Sequence, residues 1–173
     1  YIDFARWQRQ HLDQTTITGL TSYWLEQLAA TPVHHSLPLD RPRPPIPSYQ
    51  GNVIKQQFNA QLSRALNGLA HSNNCTLFML LHGAFAALIG QLSDQQDIVI
   101  GTSIANREHP QLGPLVGFFV NSLALRTDLS GDPNFTELLQ QSKTTLLDAY
   151  EHQQAPFECL LDTLHTDRQL NIS

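Results

Sequence analysis

Cysteine is nearly missing from this 173-residue sequence: Cys75 and Cys159 are the only two. Two widely separated thiols build neither a disulfide framework nor a zinc site, and the simple reading is a reducing, cytoplasmic setting. Basic charge is also scarce, with 10 Lys and Arg against 15 Asp and Glu, net −5. That balance argues against a general nucleic-acid or anionic-membrane binder, which presents a basic patch. No apolar run is a convincing span, which takes about 20 residues. The longest, Thr76 to Leu92, holds His82, Gly83 and Gly90 and reads as a buried helix. A charged and then apolar leader is not seen, nor is an initial Met. The first residues read as mid-domain sequence, so a fragment is expected. There is no internal repeat, no glycine-rich phosphate loop before a helix and no Gly-x-Ser-x-Gly nucleophile elbow.

Core-forming residues are present. Leu, Ile, Val and Phe make up 49 of the 173 residues, above the roughly 20% below which chains tend to be disordered. One compositional break stands out, Leu37 to Pro47, with five prolines in eleven residues. Proline fixes φ and removes a donor, so this stretch reads as a stiff, extended connector. Before it, Leu20, Tyr23, Trp24 and Leu28 recur at helical spacing, with Phe4, Trp7 and Leu12 on a preceding helix. After it, Asn52 to Phe58 reads as a half-polar edge strand. Leu62, Leu66 and Leu69 predict a helix ending near Asn73-Asn74, and Thr76 an N-cap for the apolar helix. That helix is apolar on most sides and is expected to be covered on most sides.

Asp97 to Ile104 reads as a buried strand in which Gly101 admits a close neighbour. An irregular loop spans Asn106 to Gly117, followed by a second strand, Phe118 to Arg126. Asp132-Pro133 is expected to cap a helix with Phe135, Leu138, Leu139, Leu146 and Tyr150 on its apolar face. Pro156 opens a last short helix. Strands alternating with helices predict an α/β layer.

Few residues carry chemistry. His34-His35 could be a base and its support, but they precede the proline run and read as solvated loop residues. His82 reads as a core histidine with one hydrogen-bond partner. His109, His152 and His165 have no metal-ligand spacing. Cys75 reads as a small packed hydrophobe. Asn121 shares a strand face with Phe119, Leu123 and Leu125. A buried amide must be paired, and two readings stand: a clamp on neighbouring backbone, or an amide lining a substrate channel. Arg107, next to Asn106, either ties down its loop or meets an anionic partner such as a phosphate.

Four segments then resemble, in order, the motifs of condensation domains of nonribosomal peptide synthetases. Tyr1-Ile2-Asp3-Phe4-Ala5-Arg6-Trp7 resembles Y-x-D-F-A-x-W, and Leu37 to Pro44 the L-P-x-D-R-P-R-P segment. Val116 to Ser122 with Arg126 resembles I-G-x-F-V-N-T…R, and His152 to Glu158 resembles H-Q-D-x-P-F-E. Arg168 to Ser173 is similar to the opening of R-D-x-S-R-N. Departures are Ser122 for Thr, and Gln154-Ala155 for the Asp-aromatic pair.

The resemblance implies a chloramphenicol-acetyltransferase-like α/β lobe, a sheet covered by helices. Residues 1–36 would be lobe-junction helices, 37–51 the connector, and 52–173 a C-terminal lobe truncated before its final strands. It implies an acyltransferase that forms amide bonds in secondary-metabolite biosynthesis. Donor and acceptor peptidyl carrier proteins would deliver substrates on phosphopantetheine, beside an adenylation domain and the missing N-terminal lobe. No directly bound cofactor or metal is expected, and no nucleic acid or membrane. The family's catalytic H-H-x-x-x-D-G is absent: His34-His35 is followed by Asp40 and Arg41 at the wrong spacing. No catalytic residue is therefore expected here, and the chain alone is expected to be inactive. Asn106, Arg107, Gly117 and Asn121 are the channel or floor-loop candidates. Tyr1, Asp3, Trp7, Arg126, Pro156, Phe157 and Glu158 are structural motif residues. Phe119-Val120-Asn121, rather than an F-T pattern, favours condensation over epimerisation or heterocyclisation. The alternative is a non-catalytic condensation-like module that recruits a partner protein.

Overall fold

The structure, a computed structural model, describes residues 1–164 other than 33, 43, 45 and 47–49. His165, Arg168 to Ser173 and part of the proline segment thus lie outside the described residues. The elements are α1 (Ile2–His11), α2 (Gln14–Gln27), α3 (Ala60–Ser72), α4 (Leu77–Ser93), β1 (Asp97–Ile104), β2 (Asn121–Asp128), α5 (Phe135–Glu151) and α6 (Phe157–Thr163), with a 3₁₀ turn at Pro110–Leu112. β1 pairs with β2. The chain forms two compact units, residues 1–31, 99–126 and 147–164 in one, and 32–98 with 127–146 in the other. β1, β2 and α5 are each divided between them.

Helix ends follow from local chemistry. Asp13, Asn59 and Thr76 each accept a backbone N–H from the first turn of the helix they precede, satisfying donors that have no partner inside the helix. α4 ends where Asp94 turns left-handed (φ +54), and the N–H of Gln95 returns to the Gly90 carbonyl at 3.2 Å. Gly90 leaves room there: a Cβ would displace the end of the Leu129 side chain and sit 3.0 Å from the Gln95 carbonyl oxygen.

In the second unit, α4 buries Met79, Leu80, His82, Ala86 and Ile89. It meets α5 at Gly83, where even a Cβ would already touch Leu138 and Ser142 at 3.6 Å. Across this seam the Ser142 hydroxyl donates to the Met79 carbonyl at 2.8 Å, and His82 Nδ1 lies 2.8 Å from the same hydroxyl. A hydroxyl has one hydrogen, so Nδ1–H is the donor and Nε2 keeps the lone pair. Nε2 is buried without a partner among the described residues. Burial pushes the His82 pKa down, because a charged ring would have no acceptor there.

The structure corrects several expectations. Asn52 to Phe58 is not a strand: the segment is exposed and the Asn52 side chain takes the Val53 N–H at 2.8 Å, a local bond that competes with a ladder. α4 is covered on one side only. Phe78, Leu81, Phe85, Leu88 and Leu92 form an exposed stripe at three- and four-residue spacing, because the described residues supply packing on the opposite face alone. In β1 only Ile98 is fully buried, and Gly101 has open space beside it. β2 starts at Asn121 rather than Phe118 and alternates as expected, with Leu123, Leu125 and Thr127 buried. α5 is capped by Asn134, which accepts from Thr136 and Glu137 while Glu137 accepts from its N–H. Asp132 instead takes a left-handed turn, φ +53.

The His82 arrangement makes stability pH-dependent with a definite sign. Its folded pKa is lowered, so the unfolded chain gains the proton first as pH falls through the ordinary imidazole value of about 6.5, and stability is lost on the acid side. In urea unfolding, the stability of wild type relative to His82→Leu is expected to fall between pH 7.5 and 5. A difference that does not change with pH contradicts it.

Candidate functional site

The residues of interest all belong to the first unit and assemble around Phe119, which is 3% exposed. Tyr1, the N-cap of α1, and Phe4 of α1 meet it with ring centroids at 5.3 and 4.8 Å. Gly117 lies under the Tyr1 ring, where any Cβ would collide. This gives the glycine of the G-F-F-V-N segment its reason: only hydrogen fits beneath the aromatic ring. Trp7 continues the aromatic row, 5.9 Å from Phe4, and is half-exposed. Asp3 and Glu158 are exposed carboxylates in the first turns of α1 and α6, where negative charge suits the helix dipole.

The loop after β1 is folded around one cation. Asn106 turns left-handed (φ +49), a conformation asparagine tolerates. Arg107 then lays its guanidinium 4.1 Å from the Phe119 ring centroid. Its Nη1 donates to the carbonyls of Leu112 and Gly113, and to that of Leu115 at 2.9 Å. His109 Nδ1 accepts from Gln111 and caps the 3₁₀ turn. Of the two readings of Arg107, the geometry supplies the loop tie.

Asn121 is the second fixed point. Its Nδ2 donates to the carbonyls of Gln153 and Ala155, both at 2.8 Å, and its Oδ1 accepts from the Phe157 N–H at 3.3 Å. The amide thus reads out the backbone of the turn between α5 and α6, and it positions Pro156 at the start of α6. The same turn is held from α2. The Trp24 indole donates to the His152 carbonyl at 3.0 Å, and Tyr23 stacks on the His152 ring at 3.8 Å and 9°. His152 Nδ1–H donates to the Asp148 carbonyl at 2.8 Å. Burial, with the charges of Asp148 and Glu151, pushes the Tyr23 phenol up to about 12. Arg126 donates to the Gln27 and Ala29 carbonyls at 2.8 and 3.1 Å, supplying the C-terminal end of α2 with donors and positive charge.

Sequence reasoning missed Glu108. Its two carboxylate oxygens accept from Gln153 Nε2 and Gln154 Nε2, each at 2.8 Å. The available signal was Gln154, which stands where the resembling motif has aspartate: an amide can donate to Glu108, whereas a second carboxylate would repel it. Two openings flank Glu108. One, about 280 Å³, is lined by Phe4, Trp7, Gln8 and Leu12 of α1, by Asn106, Glu108, His109 and Leu112 of the loop, and by Gln154. The other, about 440 Å³ and more open, is lined by residues 103–108 with Tyr150 and Gln153.

Among the described residues no group of three or more His, Cys, Asp or Glu could hold a metal. No single described helix is long and apolar enough to cross a membrane. His34 is exposed and His35 half-buried in a stretch without regular structure.

Asn121→Leu is expected to cost about 1–3 kcal/mol, because two carbonyls and one N–H lose their partner. Asn121→Asp is expected to cost at least as much, since it faces the same two carbonyls with a carboxylate. Chemical denaturation at pH 7 measures both, and wild-type stability in both variants contradicts the clamp.

Known proteins share this sequence pattern and this fold. Residues 1–172 match the family model described as "Condensation domain". The sequence is 43% identical to a linear gramicidin synthase of Brevibacillus parabrevis over 173 residues, 100% of this chain and 3% of that protein. The X-domain in its complex with OxyB from teicoplanin biosynthesis superposes with a TM-score of 0.90 at 28% identity, covering 98% of this chain and 38% of that one. The four-domain nonribosomal peptide synthetase holo-AB3403, bound to AMP and glycine, gives 0.88 at 29% identity over 94% of this chain and 12% of that one. The chain therefore spans a small part of the length of these relatives. Its architecture is the chloramphenicol-acetyltransferase-like α/β fold of that group, as expected from the sequence. With the family model covering all but one residue, the chain belongs to the condensation-domain family.

Proposed function

We propose that the chain works as part of a larger condensation domain that forms amide bonds in nonribosomal peptide synthesis. The observation that carries this reading is the Asn121 clamp: three hydrogen bonds join the F-V-N segment to the H-Q-x-x-P-F-E turn. The synthase and synthetase names of relatives favour amide formation over a recruiting module. In the reaction an amine nitrogen attacks a thioester carbonyl; the C–N bond forms, the C–S bond breaks, and the amine's proton ends on the departing thiol. Donor and acceptor would arrive on phosphopantetheine arms of carrier proteins, with an adenylation domain alongside, in the cytoplasm.

In this reading residues 1–36 are junction helices, 37–51 a connector and 52–173 the C-terminal lobe. The 106–117 loop is the channel floor. Arg107 and Gly117 fix the floor's shape, Asn106 starts it, and Asn121 holds the adjoining wall. None of the four supplies a base, and H-H-x-x-x-D-G is absent from the sequence. The chain contributes shape, and the first lobe contributes the proton chemistry.

Incubated with loaded donor and acceptor carrier proteins, the parent domain is expected to give the amide product, detected by mass spectrometry. The 173-residue chain alone is expected to give none above uncatalysed aminolysis. Turnover by the chain alone overturns the division of labour, and failure of a parent domain with an intact H-H-x-x-x-D-G overturns the function.

A further inference from the structure

The opening between α1 and the 106–117 loop combines an apolar body with one fixed charge. Phe4, Trp7, Leu12 and Leu112 supply the apolar surface, and the volume of about 280 Å³ lies near the lower end for small-ligand sites. Glu108 is the one residue among Asp, Glu, Lys and Arg in its described lining. His109 also lines it, and its Nδ1 accepts the Gln111 N–H at 3.2 Å. Arg107, the nearest cation in sequence, does not line this opening. Its guanidinium lies over the Phe119 ring, and Nη1 is given to three backbone carbonyls.

Among the described residues, Glu108 is oriented by two neutral amides. Gln153 and Gln154 each donate one amide N–H, one to each oxygen, at 2.8 Å. Each carboxylate oxygen can accept more than one bond, so capacity remains for a ligand. An anionic ligand would be repelled, and a neutral apolar one would desolvate the carboxylate without compensation. A cation on an apolar body satisfies both surfaces, and the half-exposed Trp7 ring adds an aromatic surface that favours cations.

From this we infer that the opening binds an organic ammonium, its aryl or alkyl body against Phe4, Trp7 and Leu12 and its charge at Glu108. Glu108 is then a specificity residue and not a base: it holds the protonated form and moves no proton. Identifying the natural ligand with the amine-bearing substrate rests on the proposed function, whereas the binding itself does not.

The test uses the 173-residue chain with phenethylammonium and its neutral counterpart phenethyl alcohol, followed by Trp indole N–H shifts in NMR titrations. Phenethylammonium is expected to shift the Trp7 indole saturably, and to bind at least about tenfold more tightly than the alcohol at low salt. Glu108→Gln, an exposed and conservative change, is expected to abolish that preference, with the alcohol still giving a saturable shift. Trp7→Leu is expected to weaken both ligands. Equal affinity of the two ligands for wild type overturns the inference, as does a preference that survives Glu108→Gln or the absence of any saturable shift. These outcomes are read on binding alone, so they stand apart from success or failure of the parent domain in making amide.

Discussion

The first unit depends on one side-chain amide at the start of a strand. Asn121 is half-buried at the start of β2, and its hydrogen bonds go to the backbone of residues 153–157. A leucine of similar size fills the space but leaves two carbonyls and an N–H without partners, which is costly for buried polar groups. The turn so fixed sets where α6 begins, where the His152 ring lies on Tyr23, and where Gln153 and Gln154 meet Glu108.

Phe119, two residues earlier, organises the other side. Its ring receives Tyr1 and Phe4, at the start of α1, and the Arg107 guanidinium from the loop. An arginine in this position serves as a linchpin: its Nη1 reaches several carbonyls while the guanidinium rests over an aromatic ring. Gly117 completes the arrangement by leaving room for Tyr1. Loop, helix and strand are thus joined by groups that share residues 117–121, which gives a physical reason for a short segment to carry so much of the family pattern.

Much of this was legible in the sequence. Helical spacing placed α1 to α4, Thr76 marked a cap, and Pro156 marked the start of α6, since each rests on local chemistry. The paired reading of Asn121 followed from alternation on β2. What failed depended on neighbours that periodicity cannot name. Asn52 to Phe58 has strand-like residues but no ladder partner among the described residues, and α4 has apolar residues all round but packing on one face. Asn134 took the cap of α5 because its side chain, paired reciprocally with Glu137, competed better than Asp132. Glu108 was invisible because its partners lie 45 and 46 residues away.

Amide hydrogen exchange at Phe157 tests the central claim most directly, because that N–H has Asn121 Oδ1 as its partner. In native-state exchange monitored by NMR, the Phe157 amide is expected to be protected in wild type. In Asn121→Leu its protection should be lost, while amides inside α4 keep theirs apart from any uniform change in global stability. A Phe157 amide that exchanges at the unprotected rate in wild type, or keeps its protection without Asn121, contradicts the account.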